Sequence, residues 1–253
     1  MSDRRHVIVT GGGSGIGLAI ARALAATGDK VTIMGRALDR LERASRECGN
    51  ALLPVACDVG DETAVGNAFA DALTRNGPAS MLVNAAGIVR TAPFAKTGDD
   101  VWNALWRTNV LGAVHACRQV LPGMRSLKSG RIINIASTAS LKGYAYVSAY
   151  AATKHALLGM TRSLALELAN TPITVNAVCP GYTETDIIRD AVGDIIAKTG
   201  RSEAEAMATF TGANPQGRLI TPEEVAETIL WLASDAARSM TGQAIVVAGG
   251  EIM

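Results

Sequence analysis

Thr10-Gly11-Gly12-Gly13-Ser14-Gly15-Ile16-Gly17 is the stretch whose reading decides the fold. It follows the short apolar run Val7-Ile8-Val9 directly and opens an amphipathic segment over 16–27. Glycines at such a junction allow a tight turn and let phosphates approach the backbone. The N-terminus of the helix that follows offers free N–H donors and the positive end of its dipole. The spacing is G-x-x-x-G-x-G, not the commoner G-x-G-x-x-G. Alone it fits any glycine-rich turn; between an N-terminal strand and a helix it points to the pyrophosphate of a dinucleotide. Gly11, Ser14, Gly15, Ile16 and Gly17 are therefore expected to bind a cofactor.

Working outward, short β-branched apolar runs alternate with longer amphipathic segments to the end of the chain. The predicted strands are 7–9, 31–34, 51–53, 81–83, 132–135, 173–175 and 244–247, each apolar on both faces, as parallel strands covered by helices on either side are. The predicted helices are 16–27, 37–48, 61–75, 99–121, 148–169 and 222–234. Thr221-Pro222-Glu223-Glu224 opens the last one with an N-cap, a first-turn proline and two acids at the positive dipole end. This alternation predicts an α/β fold: a doubly wound parallel sheet of about seven strands, a Rossmann fold. No linker or repeat interrupts it, so residues 1–253 are expected to form one domain. The one long interruption, 182–217, lies where insertions cover ligands; it reads as a substrate lid or as a static cap.

Composition excludes several classes. With 24 basic against 23 acidic side chains and a net charge of +1, nothing favours nucleic acid or an anionic membrane as partner. Cys48, Cys57, Cys117 and Cys179 are far apart, and with His6, His115 and His155 they show no metal-ligand spacing. They read as reduced thiols of a cytoplasmic protein. The apolar run at 7–9 is too short for a signal peptide, and no run approaches a membrane span.

An acid about 20 residues beyond the glycines, at the end of the second strand, would bind the ribose hydroxyls of NAD. Gly35-Arg36 stands there instead, and a guanidinium suits a 2′-phosphate; this favours NADP(H), with NAD(H) the other possibility and a solvated surface arginine the bland one. Arg40 and Arg43 show that arginine is common in this stretch. Tyr150 and Lys154 are four apart on the helix at 148–169 and share a face. A nearby ammonium lowers a phenol's pKa, making Tyr150 a general acid for ketone reduction and a base for alcohol oxidation. The pair alone is unspecific and would also fit a surface contact. Ser137, just beyond the fifth strand, could hold a substrate oxygen beside Tyr150, with Thr138 and Ser140 as rival hydroxyls and turn capping as the ordinary role. Asn84-Ala85-Ala86-Gly87 ends the fourth strand with small residues that would let a ribose lie against the backbone, or simply pack tightly. Asp58 reads as the N-cap of the helix that follows it.

In order, these motifs resemble the short-chain dehydrogenase/reductase family from residue 6 to residue 250: the glycine turn, N-A-A-G at 84–87, Asn109 in R-T-N-V, Ser137, Y-A-A-T-K at 150–154, and Pro180-Gly181. The resemblance implies that Tyr150 donates the proton and Ser137 positions the carbonyl. It implies that Lys154 tunes Tyr150 and binds the nicotinamide ribose, and that Asn109 anchors a water relay from Lys154 to solvent. It assigns Asp58 and Val59 to the adenine and Asn84 and Gly87 to the cofactor floor. Pro180, Gly181 and Thr183 would touch the nicotinamide carboxamide. It further implies a homotetramer built on the helices at 99–121 and 148–169 and the C-terminal strand, with Trp102, Trp106 and Met160 as interface residues; singly, each would be read as core. Residues 164–181 and 243–250 are similar to ketoreductases of β-ketoacyl thioesters, polyketide-type members included. A small ketone of that kind is the leading expected substrate. A sugar, cyclic alcohol or steroid is the alternative, and a catalytically silent cofactor-binding regulator the reading from another class.

Overall fold

The structure is a computed structural model and describes residues 4–253. Seven strands form one sheet in the order β3-β2-β1-β4-β5-β6-β7, with every pairing parallel. The strands are β1 (His6–Thr10), β2 (Lys30–Gly35), β3 (Leu52–Ala56), β4 (Ala79–Asn84), β5 (Gly130–Ile135), β6 (Ile173–Pro180) and β7 (Ala244–Val247). The order reverses between β2-β1 and β4, which is the switch point outside which such sheets bind their ligands.

Helices α1 (Gly15–Ala26), α2 (Leu38–Glu47) and α9 (Pro222–Ala233) serve one face, where Val7, Val9, Ile20, Leu24, Ile33 and Ile229 pack together. Helices α3 (Glu62–Asn76), α5 (Gly112–Met124) and α6 (Ser148–Glu167) serve the other, around Ile8, Met34, Phe69, Leu82 and Ile132. Alternate residues of β1 therefore enter opposite cores, which is why its sequence is apolar throughout. Truncating a side chain such as Ile8, fully buried here, costs about 2–5 kcal/mol.

Three differences from the sequence reading have physical causes. The helix expected over 99–121 is α4 (Asp99–Trp106), a π-turn at Arg107–Leu111 and α5, a continuous rod with one wide turn. Strand β3 extends past the expected 51–53 and includes Pro54. Cys57 donates its N–H to Gly35, so odd-numbered residues of β3 turn their backbone groups towards β2, and the nitrogen of Pro54 faces outward, where no donor is required. Asp61, not Asp58, caps α3: its carboxylate accepts from the N–H groups of Thr63 and Ala64. Asp58 instead accepts from Gly60 and stays at the mouth of a cleft.

The 182–217 interruption contains α7 (Asp186–Thr199) and α8 (Glu203–Thr211), which pack on each other through Ile188, Val192 and Ala206. Among the described residues no helix is long and apolar enough to cross a membrane, and no three potential ligand side chains gather as a metal site.

Candidate active site

The glycine turn lies at the C-terminal end of β1. Gly11 has φ +69°, and a Cβ there would stand 2.8 Å from the backbone of Ala86; a Cβ on Gly17 would collide with the carbonyl oxygen of Gly11. The turn thus requires glycine both for conformation and for close approach. Ser14 occupies the N-cap of α1 in extended conformation, yet makes no capping bond, and the first turn carries no acid. The opening of α1 keeps its donors and its positive dipole end for something else.

That end looks into a cleft of about 410 Å³ lined by Gly11, Gly13, Ser14, Arg36, Arg40, Asp58, Val59, Gly87 and Thr108, among others. Arg36 and Arg40 are both exposed on it. The guanidinium of Arg40 reaches Ser14 Oγ at 3.5 Å. An uncapped helix start, two cations on the rim and a backbone with no room for side chains fit a phosphorylated dinucleotide. Arg40 was invisible as a site residue in the sequence; its one signal is the i,i+4 spacing from Arg36 at the opening of α2.

The second group gathers where β5 ends. Tyr150 and Lys154 lie on the first turns of α6, with the Lys154 ammonium 5.7 Å from the Tyr150 ring centroid. Lys154 is buried and donates to the carbonyl of Ile135, the last residue of β5, at 2.8 Å. Burial brings its pKa down to about 8. Ser137 stands two residues beyond Ile135 in extended backbone, and its Oγ accepts from Ala139 N–H at 3.1 Å. Contrary to the sequence expectation, the Tyr150 phenol is pushed above its ordinary value: desolvation dominates, with the Ser137 hydroxyl acting in the lowering direction. The Lys154 ammonium is turned to the Ile135 carbonyl, and the dry surroundings favour the neutral phenol. A phenol that holds its proton is what a proton donor needs.

Asn109 is buried in the π-turn. Its Oδ1 accepts from Ile88 N–H at 2.8 Å, and its Nδ2 donates to the Ile88 carbonyl and to Thr153 Oγ1, each at 3.0 Å. Thr153 in turn donates to the carbonyl of Tyr150 at 2.7 Å. The wide turn therefore inserts one amide that ties the loop after β4 to the helix carrying Tyr150. A Cβ on Gly87 would stand 3.4 Å from Asn109 Oδ1 and 3.6 Å from Lys154 Nζ, so this group adjoins the cleft.

Other expected contacts sit differently. The Asn84 side chain does not line the cleft; it donates to Asn134 Oδ1 at 2.8 Å inside the sheet, and Asn134 donates to Thr161. Pro180 ends β6, and Gly181 donates to the Val247 carbonyl. Thr183 is buried, its hydroxyl bonded to the Gly181 carbonyl at 3.0 Å. None of the three lines the cleft, although their neighbours Cys179 and Tyr182 act on the Tyr150 phenol. Trp102 and Met160 are half-buried, with Met160 packed on the core, whereas Trp106 is exposed on α4. A corner that sequence reasoning missed lies beside Ser137, where Thr138, Lys142, Tyr144 and Glu251 meet; Tyr144 continues through Tyr182 to Phe210 of α8 as two edge-to-face ring pairs with centroids 6.2 and 5.2 Å apart.

Comparison with known proteins matches residues 5–194 to the short chain dehydrogenase family. A protein of Streptomyces virginiae assigned as the ketoacyl reductase of the monensin polyketide synthase is 41% identical over 254 residues, 98% of this chain and 97% of its own. Among solved structures, a variant of actinorhodin polyketide ketoreductase with NADPH superposes with a TM-score of 0.94 at 36% identity, covering 99% of this chain and 98% of its own. The L-sorbose reductase of Gluconobacter frateurii with NADPH and L-sorbose gives 0.93 at 30% identity, covering 98% and 97%.

Proposed function

Because this chain belongs to the short-chain dehydrogenase family, and is thereby an oxidoreductase acting on CH–OH groups with NAD(P), we propose that it reduces a small ketone with NADPH, a β-ketoacyl thioester first among candidates. The observation that carries this reading is the meeting of Ser137, Tyr150 and Lys154 at the end of β5, next to the cleft. Bound NADPH supplies the hydride. In this reading Ser137 Oγ donates a hydrogen bond to the ketone oxygen, and Tyr150 gives that oxygen its proton. Lys154, protonated at neutral pH and hydrogen-bonded to Ile135, holds the cofactor ribose and favours the phenolate left behind. Asn109 keeps the loop after β4 and the start of α6 in register and anchors a water path to Lys154. Arg36, with Arg40 behind it, grips the 2′-phosphate and so prefers NADP(H) over NAD(H). Asp58 and Val59 take the adenine, Gly11 to Gly17 the pyrophosphate, and Gly87, Pro180, Gly181 and Thr183 the nicotinamide side; α7 and α8 form the lid. A homotetramer completes the reading, supported by exposed Trp106 and Leu166 on the helices expected to pair; a stable monomer in sedimentation would remove that part.

A second reading, reduction of a hydroxylated ketone, is favoured by the likeness to L-sorbose reductase and by the polar corner beside Ser137. NADPH oxidation with acetoacetyl-CoA and with L-sorbose separates the two. Tyr150→Phe should lower kcat by roughly 10³-fold on the favoured ketone and leave the NADPH Kd within about twofold. An equally active variant removes the assignment.

A further inference from the structure

The corner beside Ser137 is held by a residue from the far end of the chain. Glu251 lies beyond β7, and its side chain is 2% exposed. Its Oε1 accepts from the Tyr144 phenol and lies 3.2 Å from the Lys142 ammonium. Tyr144 Oη also meets Thr138 Oγ1 at 2.6 Å. A phenol has one proton and a carboxylate has none, so Tyr144 donates to Glu251 and Thr138 donates to Tyr144. The chain of bonds runs Lys142, Glu251, Tyr144, Thr138 and ends at the residue next to Ser137.

Two further observations belong to the same arrangement. Lys142 Nζ stands 4.8 Å over the Tyr144 ring, so the cation holds both the carboxylate and the ring that carries its donor. A Cβ at Gly181 would stand 2.9 Å from Glu251 Oε2, so the absence of a side chain there makes room for the carboxylate. Thr138 opens a single 3₁₀ turn, Thr138–Ser140, and so short a turn has little rigidity of its own. It depends on what its side chains grip.

We propose that Glu251 is a positioning residue for carbonyl reduction, setting the turn that carries Ser137 through Tyr144 and Thr138. This rests on the ketone-reduction reading above. Removing the carboxylate frees the Tyr144 proton to turn towards Thr138, reverses the bond between them and loosens the turn. The Ser137 hydroxyl then samples positions off the carbonyl oxygen, while Arg36, Arg40 and Asp58, which line the cleft, have no bond to this corner.

The test compares Glu251→Ala, Glu251→Gln, Tyr144→Phe and the Glu251→Ala/Tyr144→Phe double variant. Glu251→Ala should lower kcat about 10-fold with the KM for NADPH within twofold, as expected when a network orienting a reacting group is lost. Glu251→Gln, which keeps an acceptor for Tyr144, should recover most of that loss. Tyr144→Phe should match Glu251→Ala, and the double variant should be no slower than either. Amide hydrogen exchange at Ala139 and Ser140 should quicken in Glu251→Ala, a readout that needs no turnover. Unchanged exchange there, a Gln variant as slow as Ala, losses that multiply, or an NADPH KM rising in step with the fall in kcat would each overturn the proposal. Absence of ketone reduction by the parent protein would remove the reading beneath it and leave the exchange result to decide this one; normal reduction with an unimpaired Glu251→Ala would remove this one alone.

Discussion

Helices α1 and α9 lie side by side on the same face of the sheet and begin in opposite ways. At α9, Thr221 Oγ1 accepts from Glu224 N–H, and the Glu224 carboxylate accepts from Thr221 N–H at 2.8 Å. Arg218 grips that carboxylate with two bonds of 2.7 Å, and Pro222 fills a first-turn position. Every available device closes that end. At α1 the cap position holds a serine that makes no cap bond, no acid follows, and the end opens on a cleft with two arginines. The same backbone chemistry is completed internally at one helix and left open to a ligand at the other. Helices α2, α4, α6 and α7 also begin without a side-chain cap, so what marks α1 is that its open end faces a cleft rimmed by two arginines, and the contrast with α9 can be tested at both ends.

The largest effect should come from closing the open end. Gly17→Val drives a side chain into the Gly11 carbonyl and distorts the turn, so NADPH binding, followed by fluorescence, should weaken by more than about 100-fold. Gly66→Ala is the matched control: it lies inside α3 with nothing within 4 Å of its new methyl and should gain about 0.5–1 kcal/mol of stability. Binding within threefold of the parent in Gly17→Val would break the contrast. Next in size, Arg36→Asp should move the NADPH-to-NADH ratio of KM by about 10–100-fold towards NADH, the scale of a lost charge-assisted bond plus a reversed charge, and Arg40→Ala by less. A ratio that stays put removes both arginines from the argument.

The smallest effect belongs to the closed end. Thr221→Ala should cost about 1 kcal/mol in denaturant unfolding and leave kcat unchanged. The Arg218 guanidinium and the Thr221 N–H hold Glu224 down to about 2, below its ordinary 4.5. A depressed carboxylate stabilises the fold in full above its unfolded value and loses that contribution as pH falls through its folded one. The stability gap between the parent and Glu224→Gln should therefore be constant above about pH 5 and shrink towards pH 2. A gap that widens on acidification would show that Glu224 is not what closes this end.

How much of this was legible depended on distance along the chain. The glycine turn, the Thr221 cap and the Tyr150–Lys154 pair each lie within one turn or one helix, where spacing alone carries the geometry. Asp58 reads as a cap but is not one, because the chain makes one more turn, closed by Asp61 N–H on the Asp58 carbonyl, before α3 begins. The π-turn at Asn109 left no local signal, since its reason is a loop at Ile88 and a hydroxyl at Thr153. Ser14 with Arg40, and Tyr144 with Glu251 107 positions away, meet only after the sheet is assembled. Resemblance to a family supplied Asn109 in advance; it supplied neither of those two pairs.

Pro54 has a consequence for solubility. It sits on one outer strand with its nitrogen turned away from the sheet, and a strand arriving there would meet a row of partners with a gap in the middle. The opposite rim, Ala244-Ile245-Val246-Val247, is half-exposed and has neither a charge nor a proline to discourage company. A second strand would therefore meet fewer obstacles at this rim than at β3, and the two margins of the one sheet are guarded unequally.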